Sequence, residues 1–417
     1  MKTTEQQGFA ARIGLDWADS KHDICLQADG GPLEYLVLQH SPEAIDDWAR
    51  KLRERFDGAP VAVCLELAKG PIVSALQKYD FFVLFPVNPK SLASYRDVWA
   101  PSGAKDDPSD ARLALELLTK HQDRLTELRP QSPQMRALQQ LVEDRRRLVA
   151  DRTRVTNRMC AALKSYFPQV LQWFGDRNTG VFCSFILRFP DLQTARAARP
   201  NTLRNFFHAN NVRRAATIDE RIAAIKSARA LTEDAGVVEP SRRFVLAQAR
   251  QLQSLNETIA EYDQTIAELS KQMDDYTLFK SFPGAAAAWV PRLMVAFGED
   301  RQRYGGADEI QKYSGVAPVM ERSGNSEWVH FRFRCPTFMR QTFVEWAGQS
   351  IPHSYWADAY YRQQLAKGAK HQSAVRSLAF KWIRILYRCW KDRRPYDEVA
   401  YLKVLKRRGS PLVCGSV

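Results

Sequence analysis

Residues 11–29 read ARIGLDWADSKHDICLQAD, and this stretch decides how the chain begins to fold. An apolar run ends at Asp16, the polar group Ala18-Asp19-Ser20-Lys21 turns the chain, and a second apolar run passes through Ile24-Cys25-Leu26. Two such runs around a turn predict a β-hairpin. Outward from it, the pattern predicts a third strand over 35–38, a helix over 42–56, and a strand Val61-Ala62-Val63-Cys64-Leu65 that delivers Glu66. A helix over 72–78 and a strand over 81–87 follow, and a Pro/Ser/Gly loop over 100–106 leads into a helix over 108–121. A hairpin continued by alternating α and β elements implies a mixed sheet covered by helices.

From Pro130 the texture changes to long, Arg-rich helices, with Leu138, Leu141, Arg145, Leu148, Arg152 and Val155 at helical spacing. Weaker helical patterns over 175–240 are separated by Pro190, Pro200 and Pro240. Leu252, Leu255, Ile259, Tyr262, Ile266 and Leu269 then repeat as a heptad seam. The seam fits either self-association as a dimer or tetramer or an amphipathic helix packed in its own domain, and the first is expected. The chain thus divides into an α/β region over 1–128, a helical and coiled-coil middle over 129–275, a mostly helical region over 276–400, and a basic tail over 401–417.

The formal charge is +14, yet residues 1–125 carry fifteen Lys/Arg against nineteen Asp/Glu, so the remainder holds +18. Clustered downstream cations fit a polyanionic partner, because they release counterions from phosphate backbones. Candidate contacts are Lys105, Arg145, Arg146 and Arg152, and the helical row Lys381, Arg384, Arg388 and Lys391; the alternative for that row is a solvated helix face. Seven scattered cysteines without a Cys-x-x-Cys pair, and histidines without His-x-x-x-His spacing, argue against structural zinc and fit a reducing cytoplasm. No apolar run is long enough to span a membrane, and the opening MKTTEQQGFA has no signal-peptide core.

Three features carry metal chemistry. Asp16 ends the first strand, Glu66 ends a later one, and Asp107 with Asp110 opens the helix after the loop. Strand ends at one sheet edge converge, and residues three apart on a helix share a face, so these acids suit divalent cations. Each has a plainer alternative: Asp107-Pro108-Ser109-Asp110 is a good helix start, Asp16 suits a turn, and Glu66 suits a salt bridge. Their joint order is that of ribonuclease H-like (RuvC-like) nuclease domains.

The sequence also resembles the DEDD-type transposases of the insertion-sequence 110 family, together with Piv-like DNA invertases. At the front the resemblance rests on Ile13-Gly14-Leu15-Asp16, on Cys64-Leu65-Glu66 and on Ala104-Lys105-Asp106-Asp107-Pro108-Ser109-Asp110-Ala111. It continues in Leu163-Lys164-Ser165-Tyr166-Phe167-Pro168, in Phe282-Pro283-Gly284 through Gly298-Glu299-Asp300, and in Tyr313-Ser314-Gly315-Val316-Ala317-Pro318 ahead of Ser323-Gly324. Asp106 stands where the family usually has a small polar residue, and Ala286 where it commonly has a second glycine.

The resemblance implies that Asp16, Glu66, Asp107 and Asp110 bind two Mg2+ ions, with Mn2+ as a substitute, and that Ser323 joins covalently to DNA. It further implies a helical C-terminal transposase domain, a bridge RNA that selects donor and target DNA, and an oligomer whose subunits share sites. A serine ester conserves the phosphodiester that hydrolysis would discard, so strands can be rejoined. Without the resemblance Ser323 reads as a turn residue, with Ser314 and Ser326 as local competitors. Two other readings stay open: a structure-selective nuclease that uses water, and a non-enzymatic basic scaffold for nucleic acid.

Overall fold

The structure, a computed structural model, describes residues 8–99 and 107–413. The chain divides into two compact units, Met1–Pro130 and Gln131–Val417.

In the first unit, β1 (Ala11–Trp17), β2 (Lys21–Ala28) and β3 (Leu33–Gln39) form an antiparallel meander. Then come α1 (Pro42–Arg55), β4 (Val61–Leu65), α2 (Pro71–Leu76), β5 (Phe82–Pro86), α3 (Pro89–Trp99) and α4 (Asp107–His121). The sheet order is β3-β2-β1-β4-β5, with β1, β4 and β5 parallel, which is the mixed sheet expected from the hairpin and its α/β continuation. Helix α1 starts where its sequence directs: the Ser41 side chain accepts from the Ala44 N–H and Pro42 takes the first turn.

Side chains alternate across a strand, so the two faces can be read residue by residue. Ile13, Leu15, Ile24, Leu26, Val63 and Leu65 face α1 and α2, meeting Ile45, Trp48, Leu52, Ile72 and Leu76 in one core. On the opposite face Cys25 packs on Ala111 and Leu115, while Ala62 and Cys64 join Ala114 and Leu118. Gly14 makes this close approach possible: a Cβ there would stand 1.9 Å from the Ala111 carbonyl oxygen and 2.5 Å from the Leu115 nitrogen. Both atoms are backbone, so the helix itself would have to move.

The second unit is framed by two long helices, α5 (Pro133–Tyr166) and α11 (Ala235–Lys271). Between them lie α6 (Val170–Trp173), α7 (Gly180–Arg188), α8 (Leu192–Ala197), α9 (Pro200–Ala209) and α10 (Ala215–Ser227). After them come α12 (Tyr276–Lys280), α13 (Trp289–Phe297), α14 (Ala307–Tyr313), the hairpin β6 (Val319–Ser323) and β7 (Ser326–His330), α15 (Thr337–Ser350), α16 (Tyr355–Ala366), α17 (His371–Asp392) and α18 (Glu398–Arg407). Arg145 reaches Asp263, Arg152 reaches Asn256 and Arg158 reaches Gln248, so α5 and α11 run antiparallel. Their paired halves serve two cores. Val155, Met159 and Leu163 with Val245, Ala249 and Leu252 close over α6 to α10; Met135, Leu138 and Val142 with Ile266 close over the elements after α11.

Two sequence expectations are corrected here. The heptad seam on α11 is spent within the chain: Leu252, Ile259 and Ile266 are buried, and Leu255, Tyr262 and Leu269 pack against the two cores, so the seam gives no ground for self-association. Pro240 does not separate helices but lies inside α11. It stands in the second turn, where it removes the bond its nitrogen would otherwise make to the Gly236 carbonyl. The hairpin β6–β7 escaped the sequence reading because it is exposed on both faces and shows no buried alternation. Among the described residues no helix is long and apolar enough to cross a membrane.

Candidate active site and nucleic-acid interface

Strand register gathers the acids of the first unit. Asp16 lies on β1 two residues after Gly14, so it shares the sheet face that α4 covers. Leu15 and Leu65 are register partners on parallel β1 and β4, which places Glu66 beside Asp16 at the same sheet end. Helix α4 packs on this face with Ala111 against Gly14, and its Asp110 is paired with Arg96 of α3, the helix that follows the end of β5. Its N-terminal turn, with Asp107 and Asp110, therefore opens toward Asp16 and Glu66. Asp107 is the first residue of that helix, and its side chain lies outside the described residues, as do Lys105 and Asp106 altogether.

Asp110 is 3% exposed and is held by Arg96 of α3, whose Nη2 and Nε donate to its Oδ1 at 2.5 and 2.8 Å. Nothing in the sequence singled out Arg96, because the pair joins two helices across a loop. Asp23, directly opposite Asp16 in the hairpin register and 8% exposed, is a further acid on this face. Fixing the turn length would have revealed it, since cross-strand partners share a face.

Hard carboxylate oxygens suit Mg2+ in kind. Among the described residues, however, no three acidic, imidazole or thiol groups gather closely enough to enclose an ion. Cys64, next to Glu66, is no alternative nucleophile: burial, and then the Glu66 charge, push its thiol up to about 12.

In the second unit Ser323 ends β6 and pairs with Ser326 at the start of β7. Gly324 opens the two-residue turn at φ +56°, a conformation that glycine adopts freely. The hairpin stands exposed, with Met320, Trp328 and Val329 uncovered. At its base Phe331 lies against the guanidinium groups of Arg376 and Arg340. Ser314 drops out as a rival to Ser323: it is fully buried, and its Oγ donates to the Gln311 carbonyl. Ser326 remains exposed.

Other motif residues prove structural. Gly284 and Gly298 take positive φ at turns where a Cβ would come within 2.8 Å of a neighbour. Glu299 accepts from the N–H and the hydroxyl of Ser132, the N-cap of α5.

The basic candidates divide by what they already hold. Arg145 pairs with Asp263, and Arg152 lies 3.5 Å from the Asn256 amide oxygen. Of the α17 row, Lys381 covers the Tyr360 ring, Arg388 pairs with Asp392 and Lys391 donates to the Arg301 carbonyl, while Arg384 is exposed. The Nε of Arg146, like that of Arg152, is buried with no hydrogen-bond partner among the described residues.

Comparison with known proteins gives this geometry its context. A family model described as Transposase matches residues 13–168, which hold the four acids, and one described as Transposase IS116/IS110/IS902 family matches 276–362, which hold Ser323. A protein assigned as the mini-circle transposase for IS117 of Streptomyces coelicolor is 25% identical over 92% of this chain and 95% of its own length. A protein of insertion element IS116 from Streptomyces clavuligerus is 25% identical over 70% of this chain and 72% of its own.

Proposed function

Because this chain belongs to the IS110 family of insertion-sequence transposases, we propose that it cuts and rejoins DNA through a phosphoserine at Ser323, assisted by a divalent metal held by Asp16, Glu66, Asp107 and Asp110. The observation that carries this reading is the convergence of Asp16, Glu66 and the α4 N-terminus at one sheet end. The strand order, with three parallel strands beside an antiparallel pair, supports a ribonuclease H-like domain.

The Ser323 Oγ attacks a DNA phosphorus; the bond to one strand oxygen breaks, and that oxygen leaves as a hydroxyl carrying the serine proton. A hydroxyl of a second strand reverses the step, breaking the serine ester and forming the new phosphodiester. Bound Mg2+ would neutralise developing phosphoryl charge and ease deprotonation of the attacking hydroxyl. The four carboxylates would hold that ion, and the Gly324 turn carries Ser323 at an exposed tip. The acids and Ser323 belong to different compact units, so the reading requires the two to meet within one chain or between copies. The +18 outside residues 1–125 supports binding of DNA and of a guide RNA.

The test is denaturing electrophoresis with labelled DNA and Mg2+, followed by mass spectrometry of the DNA-linked peptide. An adduct at Ser323, absent in Ser323→Ala, supports the reading. An adduct at Ser326 moves the nucleophile, and strand cleavage without an adduct assigns the chemistry to water. Sequencing of co-purifying nucleic acid tests for the guide. Mixing Ser323→Ala with Asp16→Asn tests whether copies share a site: regained activity means that they do.

A further inference from the structure

A cavity of about 530 Å3 opens in the second unit between α5, α11, α15 and the start of α13. It is far larger than the gaps of a packed core and falls in the size range of small-molecule sites. Its wall is cationic. Arg145, Arg146 and Arg292 line it against two acids, Asp263 and Glu345.

Arg292 is fixed in place. Its Nε donates to the Thr342 hydroxyl at 3.2 Å, its Nη1 donates to Glu345 at 3.1 Å, and its guanidinium lies 4.6 Å from the centre of the Trp289 ring. Its Nη2 is buried without a partner, as is the Nε of Arg146. Burial holds the Arg292 guanidinium below its usual range, Glu345 opposes that shift, and the nearby charges of Arg145 and Arg146 add to it. A buried donor without a partner costs free energy, and an anion in this cavity would satisfy two of them at once.

The chemistry of that anion follows from the donors. Planar guanidinium groups match the oxygens of a phosphate, forming short charge-assisted hydrogen bonds. Trp289, half-buried at the mouth, adds an aromatic surface of the kind on which unpaired bases stack, and Ala287 and Ala288 leave the approach open. A duplex cannot offer both groups without unstacking, whereas an unpaired nucleotide presents a phosphate and a free base together. We infer that this cavity takes one unpaired nucleotide of a single strand, its phosphate between Arg146 and Arg292 and its base on Trp289. This extends the nucleic-acid reading above but needs neither the carboxylates nor Ser323.

The test uses the full chain in EDTA, so that no strand chemistry intervenes. A short single-stranded oligonucleotide carrying 4-thiouracil is irradiated, the cross-linked peptide is mapped, and equilibrium binding of the same strand is followed by anisotropy at several salt concentrations. Cross-linking at Trp289 is expected. Trp289→Ala should weaken binding roughly five- to hundredfold and Trp289→Phe far less. Arg146→Gln, which breaks no side-chain hydrogen bond among the described residues, should lower the slope of log affinity against log salt by about 0.7.

Strands of DNA and RNA of one sequence identify which polymer supplies the nucleotide. Unchanged affinity and slope in both Arg146→Gln and Trp289→Ala, with thermal melting as in the parent chain, overturn the inference. So does cross-linking confined to other segments. Cross-linking at Trp289 in a chain that never traps a phosphoserine upholds this site while removing the recombinase chemistry.

Discussion

Arg96 holds Asp110 in an ion pair nearly sealed from water, their side chains 17% and 4% exposed. A carboxylate neutralised in this way is not free to bind a cation, so under the proposed metal role Arg96 and the ion would compete for it. Arg96→Gln should therefore lower stability without metal by about 3 kcal/mol, because it leaves a buried charge unpaired. Mg2+ should then raise the melting temperature of the variant more than that of the parent. Melts in EDTA and in Mg2+ check this; equal Mg2+ shifts in the two proteins would mean that Asp110 does not bind the ion.

Gly14 sets the distance between α4 and the sheet. A Cβ at that position meets two backbone atoms of α4, so Gly14→Ala should displace the helix carrying Asp107 and Asp110. Overpacking of this kind costs about 1–3 kcal/mol. Urea unfolding should register that loss, and the proposed Mg2+-dependent strand cleavage should fall much further than the loss of folded protein explains.

The cations of α17 should contribute unequally. Arg384 is exposed, whereas Arg388 is engaged by Asp392. Arg384→Gln is expected to lower the salt slope of duplex DNA binding by about 0.7–0.9, the value of one phosphate contact. Arg388→Gln should change it less. Equal slopes for parent and Arg384→Gln proteins would return the row to a solvated face.

His22 gives the first unit a pH dependence. It is fully buried, and its Nε2 lies 2.9 Å from the Nδ1 of His40. Burial, and then the charge of His40, bring its pKa down to about 4 from 6.5. The unfolded chain thus takes up the proton first, so the stability that His22 contributes is complete above about pH 6.5 and is lost as the pH falls toward 4. Urea midpoints at pH 7 and pH 5 should differ more in the parent than in His22→Gln; identical differences would show that the imidazole is not the responsive group.

What the sequence revealed, and what it concealed, follows from the range of the interactions. Apolar runs on either side of a polar turn exposed β1 and β2, and apolar runs ending in acids exposed the ends of β1 and β4, because these patterns are local. The Asp107-Pro108-Ser109-Asp110 start of α4 was local as well. Arg96 was not: its partner lies fourteen residues away on another helix. The α11 seam was visible, but its partner was not, since a heptad pattern does not say whether the opposing helix belongs to the same chain. Arg292 and Arg146 meet only through the packing of α5 against α13, so no spacing announced their cavity.

The long helices also govern when the chain can fold. Arg145 and Asp263, which join α5 to α11, are separated by 118 residues. At roughly 5–20 residues per second, a ribosome needs about 6–24 s to pass from one to the other. Throughout that interval Leu138, Val142, Val155 and Met159 have been made, but the α11 surface they will cover has not. Neither core of the second unit can close before α11 is made, and the one around Leu138 and Val142 also needs residues from Met273 to Leu412. The nascent chain therefore displays an apolar stripe several turns long, a target for chaperones and a hazard on crowded polysomes, until α11 clears the exit tunnel.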